Sequence, residues 1–135
     1  MRPGAAARRA ALAGMAHVLA PGGLLAVTSR NWELLRASGT HVRIDPRVKT
    51  RGDRRGLVVQ AWTVPDAWDD AHLQDVRVAL LDHDDEVTPI GERLTVWPFR
   101  QEELRADAAA AGLVVESSTY APDAGRYLVT ARTRT

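Results

Sequence analysis

A chain of 135 residues with 45% hydrophobic and 26% charged residues has the composition of a folded domain, and a compact fold of that length buries about two-thirds of the surface its unfolded form exposes. A net charge of +1, with arginine and acidic residues interleaved, excludes the basic stripe that nucleic acid or an anionic membrane would require and points to a small-molecule or protein partner. The absence of cysteine removes disulfide frameworks, thiolate metal sites and cysteine nucleophiles, and makes the cytoplasm the expected compartment.

Near the N-terminus, Arg8-Arg9 followed by AALAGMAHVLA imitates a twin-arginine export signal. The segment is alanine-rich, contains His17 and runs through Pro-Gly-Gly into a second apolar run instead of a cleavage site, so it reads as a helix. Over residues 5–19, Leu12, Met15 and Leu19 recur at helical spacing, with Arg8 and Arg9 elsewhere on the wheel. Pro21 ends that helix and Gly22-Gly23 supplies the backbone for a tight turn. Leu24-Leu25-Ala26-Val27 follows as a continuous apolar run, the pattern of a strand covered on both faces in a parallel sheet.

Beyond that strand, 32–36 reads as a helical turn and 43–56, rich in Arg, Asp, Pro and Gly, as a surface excursion. Residues 57–64, 75–81 and 93–97 read as three strands, with DHDDEVTPIGE as a hairpin-like loop between the last two. The acidic tip 82–86 carries oxygen ligands but lacks the spacing and glycine of a calcium loop, so no metal site is expected there. Trp62, Trp68, Trp97 and Tyr120 read as core aromatics, with one or two of them available as a lid over a substrate. Residues 100–111 return to helical spacing, with Leu104, Ala108 and Ala111 on one face and Gly112 as the stop. A strand over 113–120, the turn APDAG and a returning strand over 127–131 complete the chain. No apolar stretch is long enough to span a membrane.

This order, with VLAPGGLLAVTSRN near one end and FRQEELRADAAAAGLVVESSTY near the other, resembles the C-terminal half of a class I S-adenosylmethionine-dependent methyltransferase. The Arg-Asn pair and following aromatic make it look most like the glycine and sarcosine N-methyltransferase group. The resemblance implies an α/β fold in one domain: a partial Rossmann-like methyltransferase sheet, made of the fifth strand and a terminal antiparallel hairpin, with a small antiparallel β insert at about 43–97. It also implies S-adenosylmethionine as cofactor. The family's glycine-rich loop and ribose-binding acid have no counterpart in this sequence, so the N-terminal cofactor-binding half is expected to be missing. Arg100 stands where the family often has Ser or Thr opening its last helix.

Ligands of open α/β sheets gather outside the carboxyl ends of the strands, where Arg30, Asn31 and Trp32 follow the first strand. A guanidinium grips a carboxylate bidentately, an amide orients an amine or carboxylate, and an indole walls off water. By resemblance Arg30 holds the carboxylate of an amino-acid-like substrate. Methyl transfer demands alignment more than acid–base chemistry, and His41, the one histidine close to the cluster in sequence, reads as an ordinary loop residue. The expected function is methyl transfer to N or O of a small molecule, this chain supplying the substrate side. The alternative is an inactive methyltransferase-like module that self-associates or pairs with an active partner. A bare edge on the first strand leads to the same expectation for the isolated chain, which should not behave as a monomer.

Overall fold

The computed structural model describes residues 3–81 and 87–134. Its elements in chain order are α1 (Pro3–Val18), β1 (Leu24–Arg30), α2 (Trp32–Ala37), β2 (His41–Ile44), β3 (Lys49–Arg51), β4 (Arg54–Thr63), β5 (His72–Leu81), β6 (Val87–Val96), α3 (Gln101–Ala110), β7 (Leu113–Ser118) and β8 (Arg126–Thr133). They form two compact units, one made of Met1–Ala37 with Pro98–Thr135 and the other of Ser38–Trp97. The inserted unit thus opens at Ser38, ahead of the expected boundary at 43.

In the first unit β8 lies between β1 and β7 and runs antiparallel to both, so β1 and β7 point the same way. The β1–β8 register runs from Leu24 opposite Arg132 to Arg30 opposite Arg126. This corrects the reading of β1 as a strand covered on both faces. Its exposure alternates, with Leu25, Val27 and Ser29 turned inward and Leu24 and Ala26 outward, and among the described residues its single strand partner is β8. Four consecutive apolar residues do not by themselves distinguish burial on one face from burial on two.

The core of this unit joins Leu12 of α1, Leu104 of α3, and Tyr127 and Val129 of β8, with Ala108, Leu113 and Ala131 packed alongside. Leu12 is buried and Leu19 half-buried as the helical spacing predicts, but Met15 is exposed. Arg8, four residues before Leu12, shares its face and is drawn inward with it, its guanidinium lying 4.9 Å from the ring centroid of Phe99. An arginine stem can bury while its head keeps a partner, so charge alone did not place Arg8 on the outside. At the start of α3 the missing Ser or Thr cap is offset by Glu103, whose carboxylate accepts the Arg100 N–H at 2.7 Å. Gly112 ends that helix in the left-handed region at φ 80°.

The second unit is an antiparallel sheet in the order β2-β4-β5-β6, with β3 pairing the start of β4. Long ladders dominate it: β4 pairs β5 from Arg55–Leu81 to Thr63–Leu73, and β5 pairs β6 from His72–Val96 to Leu81–Val87. Strands β2 and β3 occupy the stretch read as a surface excursion; HVRI and KTR are short and polar, and only their partner β4 makes them strands. Strand β6 takes in Val87–Glu92, half of the expected loop, and tolerates Pro89 because it is a sheet edge. The acidic tip 82–86 lies outside the described residues. Trp62 is buried as expected, whereas Trp97 is exposed, and His41 opens β2 instead of sitting in a loop. Among the described residues no helix is long and apolar enough to cross a membrane.

Candidate functional site

The carboxyl ends of β1 and β7 and the start of β8 meet in the first unit, and a polar and aromatic cluster is built there. Asn31 is its anchor. It is 1% exposed, and its Nδ2 donates to the carbonyls of Ala121 at 3.0 Å and Ala124 at 2.9 Å. Its Oδ1 accepts the Leu34 N–H at 3.1 Å, its carbonyl accepts the Leu35 N–H, and its own N–H donates to Gly125 at 2.8 Å. Asn31 is therefore the N-cap of α2 and the clasp that holds the 121–125 turn against it. With both amide hydrogens committed to backbone, it positions its neighbours and does not itself reach for a ligand.

Those neighbours are Arg30 and Trp32. The Arg30 guanidinium lies 5.8 Å from the Trp32 ring centroid, a cation–π arrangement, and both side chains are half-buried and engaged in further interactions. The three residues singled out in the sequence are thus brought together, in two different roles.

Glu33 and Tyr127 carry no signal in the sequence, and Tyr120 reads there as a core aromatic or part of a lid over a substrate. The Tyr120 hydroxyl hydrogen-bonds to Glu33 of α2, and that carboxylate, with some burial, holds its ionisation above the ordinary tyrosine range. Tyr120 meets Tyr127 edge to face, with centroids 5.4 Å apart and an interplanar angle of 89°. Tyr127 stands opposite Ser29 in the β1–β8 ladder and is 4% exposed. Burial pushes its ionisation up, the nearby Ser29 hydroxyl pulls it back in part, and Glu33 pushes it up again. Ser29 donates its hydroxyl hydrogen to the Arg30 carbonyl at 2.9 Å, which leaves its oxygen free to accept from the Tyr127 hydroxyl beside it. A tyrosine opening a strand after APDAG carries no sequence signal for such a place; only the β1–β8 register reveals it.

A second buried polar cluster has a structural character. Asp107 of α3, 3% exposed, accepts hydrogen bonds from Arg8 and, at 2.8 Å, from Arg9 of α1. Burial pushes its carboxyl up, but the two guanidinium groups more than offset this and hold it below the ordinary aspartate value. The carboxylate is charged and fully engaged, a link between two helices.

His41 belongs to the second unit, where its Nδ1 lies 2.6 Å from the Gly39 carbonyl. That unit also carries an open concavity of about 450 Å³ lined by Arg43, Ile44, Asp45, Lys49 and Gln60 among others. None of these side chains is buried, so the hollow lacks the fixed polar groups of a specific site.

The Arg30–Trp32 pair, Glu33 and Tyr120 fit a small polar ligand. They do not fit the nucleoside side of S-adenosylmethionine: Gly22-Gly23, at the amino end of β1, is a helix-to-strand turn, and among the described residues no glycine-rich turn leads from a strand into a helix. No residue of this chain is assigned to that cofactor.

No family model matches the sequence, and no curated protein matches it. Solved structures do. The chain is similar to S-adenosylmethionine-bound CalS10, an amino pentose methyltransferase from Micromonospora echinaspora, with a TM-score of 0.71 and 23% identity over 97% of this chain. It is similar to the sugar N-methyltransferase KedS8 from a Streptoalloteichus species, with a TM-score of 0.72 and 20% identity over 99% of this chain. Streptomyces venezuelae DesVI matches with a TM-score of 0.67 and 24% identity over 97%. The chain spans about half the length of each, 51–52%. At these identities the likeness is one of fold, and the fold is the mixed α/β architecture of the S-adenosylmethionine-dependent methyltransferases.

Proposed function

We propose that this chain supplies the acceptor-binding side of an S-adenosylmethionine-dependent methyltransferase acting on nitrogen or oxygen of a small polar molecule. The observation that carries the reading is the cluster at the carboxyl end of β1, where an Asn31-capped helix sets Arg30, Trp32 and Glu33 beside two packed tyrosines. That end of an open α/β sheet is where ligands bind. S-adenosylmethionine, when bound, supplies the methyl group; the part of this chain is to bind the acceptor, orient it and exclude water. Asn31 fixes α2 and the 121–125 turn, Trp32 shields one side, and Arg30 offers a guanidinium to an acidic or hydroxylated group of the acceptor.

The acceptor class follows from the same cluster and from the neighbours, named as methyltransferases of an amino pentose and of a sugar nitrogen. An amine-bearing sugar or amino-acid-like molecule suits a carboxylate flanked by aromatic rings; the glycine and sarcosine group is the narrower form of this reading. Cofactor binding is assigned to a segment or chain supplying the glycine-rich turn. A second reading, a methyltransferase-like module that works by association, draws on β1, which has one strand partner among the described residues and carries Leu24 at 48% exposure on its outer face.

Isothermal titration of S-adenosylmethionine and S-adenosylhomocysteine separates these readings, run on the chain alone and again on the chain joined to a segment that carries the glycine-rich turn. Binding that appears with that segment, followed by methylation of an amine that Arg30→Ala weakens about tenfold or more, is the expected result. No cofactor binding in either form, together with a defined dimer, would establish the association module instead.

A further inference from the structure

The near-neutral balance of the chain conceals a local excess of charge. Residues 43–55 hold six of the eighteen basic side chains and two of the seventeen acidic ones, so the rest of the chain is net acidic. Strand register gathers that excess on one face of the sheet unit. Side chains alternate along a strand, so the pairs Arg43–Gln60, Lys49–Gly56 and Arg51–Arg54 share a face with Val58, Val78 and Leu80. Two hollows lie along these residues, one of about 450 Å³ beside Arg43 and one of about 230 Å³ lined by Lys49, Arg51, Arg54, Arg55, Val78 and Leu80 among others; Lys49 lines both. The apolar residues are half-buried and the cations are exposed. Lys49 is occupied by Asp45 at 2.8 Å, whereas Arg43, Arg51, Arg54 and Arg55 make no ion pair among the described residues. The Gly52-Asp53 turn sets Arg51 directly across from Arg54, and like charges so opposed repel.

We propose that this face of the sheet unit is a docking surface for an acidic segment of a partner protein, whose carboxylates meet Arg43, Arg51 and Arg54 and whose apolar side chains lie over Val58, Val78 and Leu80. A guanidinium grips a carboxylate through paired N–H donors, and the opposed arginines lose their mutual repulsion once a carboxylate sits between them. Lys49 and Arg51 stand two residues apart on an extended strand, roughly 7 Å, which is also the spacing of alternate carboxylates on an extended segment. Open hollows with no buried polar side chain in their lining suit a broad surface contact and not an enclosed small molecule. A protein segment is favoured over nucleic acid because the basic excess is confined to the patch, and a longer polyanion would run onto surface that is net acidic. Every residue of the patch belongs to Ser38–Trp97, so the docking surface stands independently of the methyl-acceptor reading.

Fluorescence anisotropy on the full chain tests this with a labelled peptide of glutamate and leucine, against its glutamine counterpart, inorganic diphosphate and single-stranded DNA. The parent is expected to bind the glutamate peptide at least about tenfold more tightly than the glutamine peptide, and several-fold less tightly once salt is raised from about 0.05 to about 0.3 M. Arg51→Glu is expected to lower that affinity about tenfold or more while unfolding at the parent's temperature or a few degrees above it, since the change sets a carboxylate opposite Arg54. Arg105→Glu, the same change of charge at an exposed position of α3, is expected to leave binding within about twofold. Equal losses in the two variants would mean that only net charge is sensed, and would overturn the inference. So would failure of the glutamate peptide to bind, or tighter binding of diphosphate or DNA that Arg51→Glu abolishes. A dimer of the parent that the peptide does not displace and Arg51→Glu dissolves would assign the face to a second copy and overturn it as well. If Arg51→Glu unfolds well below the parent, Arg51→Gln takes its place: a loss of about threefold or more supports the docking surface, and an unchanged affinity refutes it.

Discussion

The unit formed by Met1–Ala37 and Pro98–Thr135 buries Leu12, Leu104, Leu113, Tyr127 and Val129 together and sets Asn31 and Asp107 among them, whereas Ser38–Trp97 buries, among the described residues, only Trp62 and His72 of its larger side chains. In the first, helices and a three-stranded sheet meet in a core, and the buried Asn31 and Asp107 side chains have their hydrogen-bond partners. In the second, ten-residue strands are joined edge to edge, and hydrogen-bonded register does the work that packing does elsewhere. The difference teaches where this chain can hold a chemically defined site. Fixed polar groups at fixed distances need a packed core around them, and only the first unit provides one at the carboxyl end of its strands.

The contrast is sharpest at the residues each unit buries. Trp62→Ala empties the largest apolar position of the sheet unit, 2% exposed, and is expected to cost about 4 kcal/mol. Hydrogen exchange should show the loss in residues 38–97; equal acceleration in β1 and β8 would mean that the units unfold together and would break the comparison. Asp107→Asn removes the charge that two arginines share and is expected to cost about 3 kcal/mol in chemical denaturation.

The same residue sets a pH dependence. The folded carboxyl ionises below its unfolded value, so its contribution is complete above about pH 4 and is lost as pH falls through the depressed folded value. The parent should lose stability there more steeply than Asp107→Asn, and parallel curves would show that the pair adds nothing.

Asn31→Ala unmakes the cap of α2 and strands the Ala121 and Ala124 carbonyls, an expected loss of about 2 kcal/mol. Asn31→Asp should be no better, because a carboxylate oxygen would face those carbonyls in place of the amide hydrogens; a fully stable Asp variant would refute the assigned geometry. At the other extreme, Ile44→Thr on the exposed edge of the second sheet should change stability by less than about 0.5 kcal/mol in thermal unfolding while improving solubility. A loss above 1 kcal/mol would mean that the exposed face packs against something.

The helix ends were legible because proline and glycine mark them chemically: Pro21 follows α1 and Gly112 closes α3 with a positive φ. The terminal hairpin was legible from two apolar runs around APDAG. Strands β2 and β3 were not, since His-Val-Arg-Ile and Lys-Thr-Arg become strands by pairing with β4, whose distance along the chain no local pattern encodes. Arg30, Asn31 and Trp32 stood out because their chemistry interrupts the end of an apolar strand, but nothing local said that Asn31 would spend its amide on the backbone ninety residues away.

What the sequence determined by itself is therefore the set of local decisions: where the helices start and stop, that an apolar strand follows Pro-Gly-Gly, that a cation, an amide and an indole terminate it, and that the order of elements resembles that of a methyltransferase fold. Tertiary structure decided the rest. The antiparallel partner of β1, the drawing of Arg8 and Arg9 onto Asp107, and the meeting of Glu33, Tyr120 and Tyr127 all join residues far apart in the chain. Such groups acquire partners only when strand register and helix packing set them face to face.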